Sequence, residues 1–164
     1  MPTLELPHTP NCLVCGRANP IGLQLTLHVD PATGEVTTLF TPGSNHIGFE
    51  GLLHGGLLAT VLDEAMVWAA IWSCRHACVA GELNVRFRRP GRVGQPLTCS
   101  ARVTHVRSRL IEVEGRIVTT ADEPIATATG KYVPLDQAAT AEFFKTLVPD
   151  PATRPAATLL TAGQ

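Results

Sequence analysis

Residues 53–66 read LHGGLLATVLDEAM, and this stretch decides the fold because it begins the one long helix. Gly55 and Gly56 open an otherwise apolar segment, and Asp63 lies two turns inside it. The backbone N–H groups at a helix start have no intrahelical acceptor and carry the positive end of the helix dipole, so they suit a developing oxyanion. A carboxylate on an apolar helix face is costly unless it is paired, protonated or used. Together these features indicate an acyl-transfer site.

The pattern around this helix predicts the rest of the fold. Apolar residues recur at i, i+3, i+4 and i+7 spacing from about Gly55 to Ser73, which indicates one face packed on a sheet. Asp136 is the expected cap of a short helix that ends near Leu147. The predicted strands are 23–29, 35–40, 78–88, 96–107, 110–120 and 124–133. One long helix with about six strands predicts an α+β fold, an antiparallel sheet wrapped around a central helix.

The chain of 164 residues predicts one domain. Residues 1–22 contain four prolines and should form an irregular leader, residues 23–148 the domain, and residues 149–164 a flexible tail.

Composition excludes several classes of protein. With 45% hydrophobic and 16% charged residues, the chain should be globular, and its net charge of -1 predicts neither a nucleic-acid nor a membrane partner. No apolar stretch is expected to reach the roughly 18 residues of a membrane span. Without a signal-peptide pattern, we expect a cytoplasmic location.

Five cysteines, an odd number, favour reduced thiols over a disulfide framework. Cys12 and Cys15, with His8 and His28 nearby, raise the possibility of zinc. A structural zinc site normally needs four ligands, and no second cysteine pair follows at the required spacing. We therefore predict no metal, no resident cofactor, and a turn with two packed thiols.

The separation of Gly55 and Asp63 has a consequence for assembly. Eight residues of α-helix rise about 12 Å, so one chain cannot easily bring both groups to the same small carbonyl. If both act on one carbon, two helices must meet antiparallel across a two-fold axis in a homodimer. Alternatively, the glycines only permit a tight junction, and Asp63 lies with Glu64 on an exposed edge.

The segment 54–56, with Asp63 nine residues after His54, resembles the active-site helix of PaaI-like hotdog acyl-CoA thioesterases. Residues 82–90, ELNVRFRRP, are similar to the strand that follows this helix in that family. The leader, with CLVCG at 12–16 and NPIGL at 19–23, is similar to a variant N-terminus of one subset. The resemblance covers about residues 20–133.

This resemblance implies a hotdog fold, a homodimer or homotetramer, and hydrolysis of an acyl-CoA thioester in which coenzyme A enters as part of the substrate. Gly55 would supply the oxyanion-hole N–H, and Asp63 of the facing protomer would be nucleophile or general base. His54 would orient the helix start. Glu64 matches a variable position and is expected to be structural.

Two positions depart from the family pattern. Gly48 stands where relatives often have Gln or Asn, and Ala80 stands where many have Ser or Thr, four residues before the strand asparagine Asn84. His46 is our substitute for the missing amide, and a solvent-exposed loop histidine is the alternative. These losses keep open a non-catalytic, regulatory acyl-CoA-binding protein; a hydratase fits less well.

A cationic patch follows the strand asparagine. Arg86 and Arg88 alternate with apolar residues and, with Arg89 and Asn84, are our candidates for binding the phosphates of coenzyme A. A solvated strand end is the alternative.

Overall fold

The computed structural model describes residues 2–162, and its centre is a long helix, α1, lying against one antiparallel sheet. Within these residues the sheet has seven strands in the spatial order β1-β2-β3-β7-β8-β9-β6, and β4 pairs with β5 as a separate hairpin. The strands are Leu4–Glu5 (β1), His28–Val29 (β2), Val36–Phe40 (β3), Ile47–Phe49 (β4), Leu52–Leu53 (β5), Cys78–Phe87 (β6), Leu97–Arg107 (β7), Leu110–Thr119 (β8) and Pro124–Pro134 (β9). The helices are Gly55–Cys74 (α1), Gln137–Lys145 (α2) and Arg154–Thr161 (α3), with a 3-10 turn at Ser44–His46.

The helix packs closely because the sheet presents glycines beneath it. A Cβ at Gly115 would lie 3.0 Å from Met66 Sδ, and a Cβ at Gly130 would lie 2.9 Å from Met66 Cε. Leu62 and Ala65, on the same side of α1, are fully buried. Glycine is disfavoured inside strands unless another group approaches closely, which is the case here. The helix wrapped by an antiparallel sheet confirms the hotdog arrangement that the sequence predicted.

Burial also explains the apolar character of α1. The helix has 20 residues and contains an 18-residue window with a mean hydropathy of 1.4, so by length and composition it is apolar enough to cross a membrane. The expectation that no apolar stretch reaches this length was therefore wrong. Ala65 and Ala69 have no exposed surface, however, because the sheet covers them. The hydropathy of α1 is that of a core helix.

The leader is more ordered than predicted. Only His28–Val29 of the predicted strand 23–29 pairs as a strand. The N–H groups of Leu23 and Leu25 instead donate to the carbonyls of Leu13 and Val14, both at 2.8 Å. The N–H groups of Leu23 and Leu25 are thus bonded to the leader and not to a neighbouring strand of the sheet.

The C-terminal residues also differ from the prediction of a flexible tail. Helix α3 packs against β1 and buries Ala156 and Leu160 completely. Its Pro155 lies in the first turn, where the missing N–H costs nothing. Arg17 in the leader forms an ion pair with Asp150 at 2.8 Å, which brings the two ends of the chain together.

Candidate active site

The start of α1 holds one free backbone donor. His54 is the N-cap, and its Nδ1 accepts the N–H of Gly56 at 2.9 Å. Its carbonyl accepts the N–H of Leu57 at 3.0 Å. Within residues 2–162 the N–H of Gly55 has no acceptor. The cap therefore leaves the N–H of Gly55, and not that of Gly56, available to a ligand, while the role of Gly55 in an oxyanion hole stays a prediction.

The loop before α1 positions this cap. The N–H of His54 donates to the carbonyl of His46 at 3.0 Å, and the His46 Nδ1 accepts the N–H of Gly43 at 3.0 Å. A Cβ at Gly48 would lie 2.8 Å from the Cα of His54. Gly48 is thus explained, because no amide side chain fits there without moving the cap. The structure places His46 as a support of His54, with its Nδ1 already used in a turn.

Asp63 has a partner that sequence reasoning missed. The hydroxyl of Tyr132 donates to Asp63 Oδ1 at 2.8 Å. Tyr132 is fully buried, and this burial, together with the charge of Asp63, raises its pKa, so the phenol stays protonated and donates. Tyr132 pairs with Ala80 in the β6–β9 register. A polar side chain of the neighbouring strand thus reaches Asp63 beside position 80.

One signal could have pointed to Tyr132. It is the only tyrosine of the chain, and it lies in a strand otherwise rich in Ala, Thr and Val. A buried tyrosine usually finds a hydrogen-bond partner, and a carboxylate on the packed helix is the natural one.

Glu64 lies on another side of α1, towards the leader. Its Oε1 accepts the Trp68 Nε1–H at 3.1 Å, and both its oxygens lie 3.7 Å from Cys12 Sγ. Burial raises the pKa of Glu64 to about 7. A hydrogen bond from Cys15, with backbone N–H groups of the turn, lowers the pKa of Cys12 to about 5. Glu64 is therefore partly buried, so the alternative that it lies on an exposed edge of the helix is wrong.

The predicted phosphate-binding residues lie elsewhere. Arg86, Arg88 and Asn84 line an open groove of about 920 Å³ on the sheet face away from α1. Asn84 Nδ2 donates to Glu82 Oε1 at 2.7 Å. In the described part of the chain Arg86 and Arg88 form no ion pair, whereas Arg89 lies 4.0 Å from Glu123. The structure does not bring these residues to Asp63 within one chain.

Comparison with known proteins shows what this chain is similar to. Residues 50–126 match the family model described as "Thioesterase superfamily". The solved structure of protein RHA08564, a thioesterase superfamily protein, is 27% identical, covers 76% of this chain and 60% of its own, and has a TM-score of 0.71. Over residues 50–126, just under half of its length, the chain is similar to the thioesterase superfamily.

Two further proteins are similar to this chain. The E. coli PaaI protein from the phenylacetic acid degradation operon is 25% identical over 70% of this chain and 81% of its own, with a TM-score of 0.64. The acyl-coenzyme A thioesterase THEM4 of Bos taurus is 33% identical over 125 residues, 71% of this chain and 48% of that protein. The chain thus spans about half the length of this curated relative. The resemblance to PaaI-like thioesterases is confirmed, and the similarity of the leader to one subset stays a prediction.

Proposed function

We propose that this protein hydrolyses an acyl-CoA thioester to the free acid and coenzyme A. The observation that carries the proposal is the N–H of Gly55, which has no acceptor at the start of α1 in the described residues, on the same helix as Asp63 with its Tyr132 partner. The curated relative named as an acyl-coenzyme A thioesterase supports the same substrate class.

A second copy of the chain would complete the site. Because Gly55 and Asp63 lie about 12 Å apart along one helix, we propose that each site combines Gly55 of one protomer with Asp63 of the other. Strand β6 offers the contact, since it is an edge strand that pairs only with β9 within residues 2–162. Its side chains Val79 and Phe87 are 47% and 54% exposed. Pairing of two β6 strands would bury both and bring the two helices side by side.

The proposed reaction follows from the charges at such a site. The carbonyl oxygen of the thioester accepts the N–H of Gly55, which stabilises the negative charge that develops there. Asp63 either attacks the carbonyl carbon, giving a mixed anhydride that water then hydrolyses, or removes a proton from the attacking water. The C–S bond breaks, and the thiolate of coenzyme A leaves and takes up a proton. Tyr132 holds one oxygen of Asp63, so the other is left for the reaction.

The phosphates of coenzyme A require cations. Arg86 and Arg88 extend from the edge strand, next to the proposed seam between protomers, and their guanidinium groups suit phosphate geometry. We propose that they bind the phosphates while the thioester reaches Gly55.

A second candidate function is acyl-CoA binding without turnover. Gly48 and Ala80 favour it, because both lack the polar side chains that many relatives have there. The contact of Tyr132 with Asp63 favours catalysis.

One experiment tests both the activity and the shared site. Wild-type protein is incubated with short, medium, long and aryl acyl-CoAs, and released thiol is measured. Asp63→Asn and Gly55→Pro are then assayed alone and after being mixed under conditions that exchange subunits. Proline is favoured at the first helical position, so Gly55→Pro removes the N–H. A Cβ there lies 3.1 Å from Phe87 Cζ, so Gly55→Ala, which adds the same contact and keeps the N–H, is assayed as the control.

The outcomes are distinct. Asp63→Asn and Gly55→Pro alone should each be nearly inactive, and their mixture should regain about a quarter of wild-type activity, since half of the dimers are mixed and each has one intact site. Mixed dimers without recovered activity would place both groups in one chain. Tight binding of acyl-CoA with no thiol release by wild-type protein would establish the second candidate.

A further inference from the structure

Two cysteines of the leader and one carboxylate of α1 form a compact cluster. Single ligand atoms of Cys12, Cys15 and Glu64 all lie within 4.8 Å of one another. The thioester chemistry uses none of these groups. Sequence spacing reveals the two cysteines, but Glu64 joins them only through the fold, 52 residues away from Cys12.

The turn around the cysteines favours the thiolate form of Cys12. The N–H groups of Val14 and Cys15 donate to Cys12 Sγ at 3.3 and 3.5 Å. Gly16 closes the turn by donating to the carbonyl of Cys12 at 3.1 Å, and a Cβ at Gly16 would overlap the Cys12 backbone. Hydrogen bonds to sulfur stabilise the thiolate, which is the form that binds metal.

Distances in the cluster are close to those of metal coordination. With bonds of about 2.3 Å to sulfur and 2.0–2.2 Å to oxygen, a tetrahedral zinc ion holds a sulfur and an oxygen about 3.5 Å apart. The two oxygens of Glu64 lie 3.7 Å from Cys12 Sγ. Trp68 donates to Oε1 of Glu64, which orients the carboxylate and leaves Oε2 available. Little movement would be needed to bring the three ligands to one ion.

We propose that Cys12, Cys15 and Glu64 bind a thiophilic divalent cation of the Zn²⁺ type. Two sulfur ligands select a soft or borderline ion over Mg²⁺ or Ca²⁺. Three protein ligands leave one coordination position for water, and Cys12 and Glu64 are only partly buried, so solvent reaches it. The ion joins the leader to α1 one residue from Asp63.

The test uses the full chain, reduced with a phosphine, stripped with a chelator and checked for five free thiols. Zn²⁺ is titrated against a competing chelator, and Co²⁺ is followed by absorbance. We expect one ion per chain, a sulfur-to-cobalt charge-transfer band with visible bands of tetrahedral cobalt, and a higher melting temperature with Zn²⁺.

Three variants locate the site. Cys12→Ser should weaken Zn²⁺ binding by at least about 100-fold, and Glu64→Gln by about 10-fold while sulfur-to-cobalt charge transfer remains. Cys74→Ser is the matched control, because Cys74 Sγ and Cys78 Sγ form another close thiol pair at 3.6 Å. It should bind as wild type does. Circular dichroism confirms that each variant folds.

Three results would overturn the proposal. The first is a fully reduced protein that binds no ion, which would leave Cys12 and Cys15 as a plain thiol pair. The second is Zn²⁺ binding that Cys12→Ser and Glu64→Gln do not change. The third is loss of binding in Cys74→Ser instead, which would move the site to the other pair.

Discussion

Asp63 and Glu64 are neighbours on one helix, yet their surroundings have little in common. Asp63 accepts a hydrogen bond from a buried tyrosine of the sheet, whereas Glu64 contacts Trp68 and a thiol of the leader. Successive residues of an α-helix point about 100° apart, so adjacent carboxylates reach different parts of the fold. The role of each carboxylate therefore follows from its partners, and substitutions can remove these partners one at a time.

The largest effect should come from Asp63 itself. Asp63→Asn keeps the shape and removes the base or nucleophile, so kcat should fall about 10³-fold. Asp122→Asn is the control, since Asp122 is an exposed residue with a left-handed backbone that Asn also tolerates. Steady-state kinetics with the best acyl-CoA measure both variants. If Asp63→Asn has the kcat of wild type, Asp63 is neither the base nor the nucleophile.

The next effect tests the partner of Asp63. Tyr132→Phe deletes the hydroxyl and keeps the packed ring, so kcat should fall about 10-fold and stability by about 1 kcal/mol. Kinetics and thermal unfolding check the two values. If kcat is unchanged while stability falls, the hydrogen bond is structural and does not position Asp63 for reaction.

Glu64 should respond in the opposite way. Glu64→Gln removes a carboxylate that the thioester does not meet, so kcat should stay within about threefold of wild type, far from the loss expected for a catalytic base. The same kinetic assay measures it beside Asp63→Asn. A loss as large as that of Asp63→Asn would mean that the two carboxylates act together.

The smallest effect concerns the leader, whose Cys12 contacts Glu64. Burial and the charge of Arg17 lower the pKa of His8 below 6.5. As the pH falls, His8 therefore becomes protonated in the unfolded chain before it does in the folded protein. The contribution of neutral His8 to stability is complete above pH 6.5 and is lost below it. Thermal unfolding at pH 8 and 5.5 should show a smaller difference for His8→Gln than for wild type. An identical difference in both proteins would assign the pH dependence to other groups.

Strong periodic patterns made much of the fold predictable. Helix α1 was expected over 55–73 and is Gly55–Cys74, and the four long strands lie within one or two residues of their predicted ends. The two ends of the chain were not predictable, because their short elements form only against distant partners. Local patterns do not report such contacts.

The residues of the candidate site differ in how far along the chain their partners lie. The sequence predicted that His54 orients the helix start, and the structure shows that it does so as the N-cap, through a neighbouring residue. The partner of Asp63 is Tyr132, 69 residues away, and the thiol beside Glu64 is 52 residues away. Such partners depend on strand register and on where the leader docks, which propensity alone does not determine.

The meeting of the two chain ends has a consequence for biosynthesis. Arg17 binds Asp150, and the carbonyl of His8 accepts the N–H of Val148 at 2.9 Å. A ribosome releases the N-terminal leader long before these C-terminal partners exist. The helix and sheet can assemble first, but the leader reaches its final position only after residues 148–150 have emerged. The Glu64 side of α1 is therefore completed later than the helix itself.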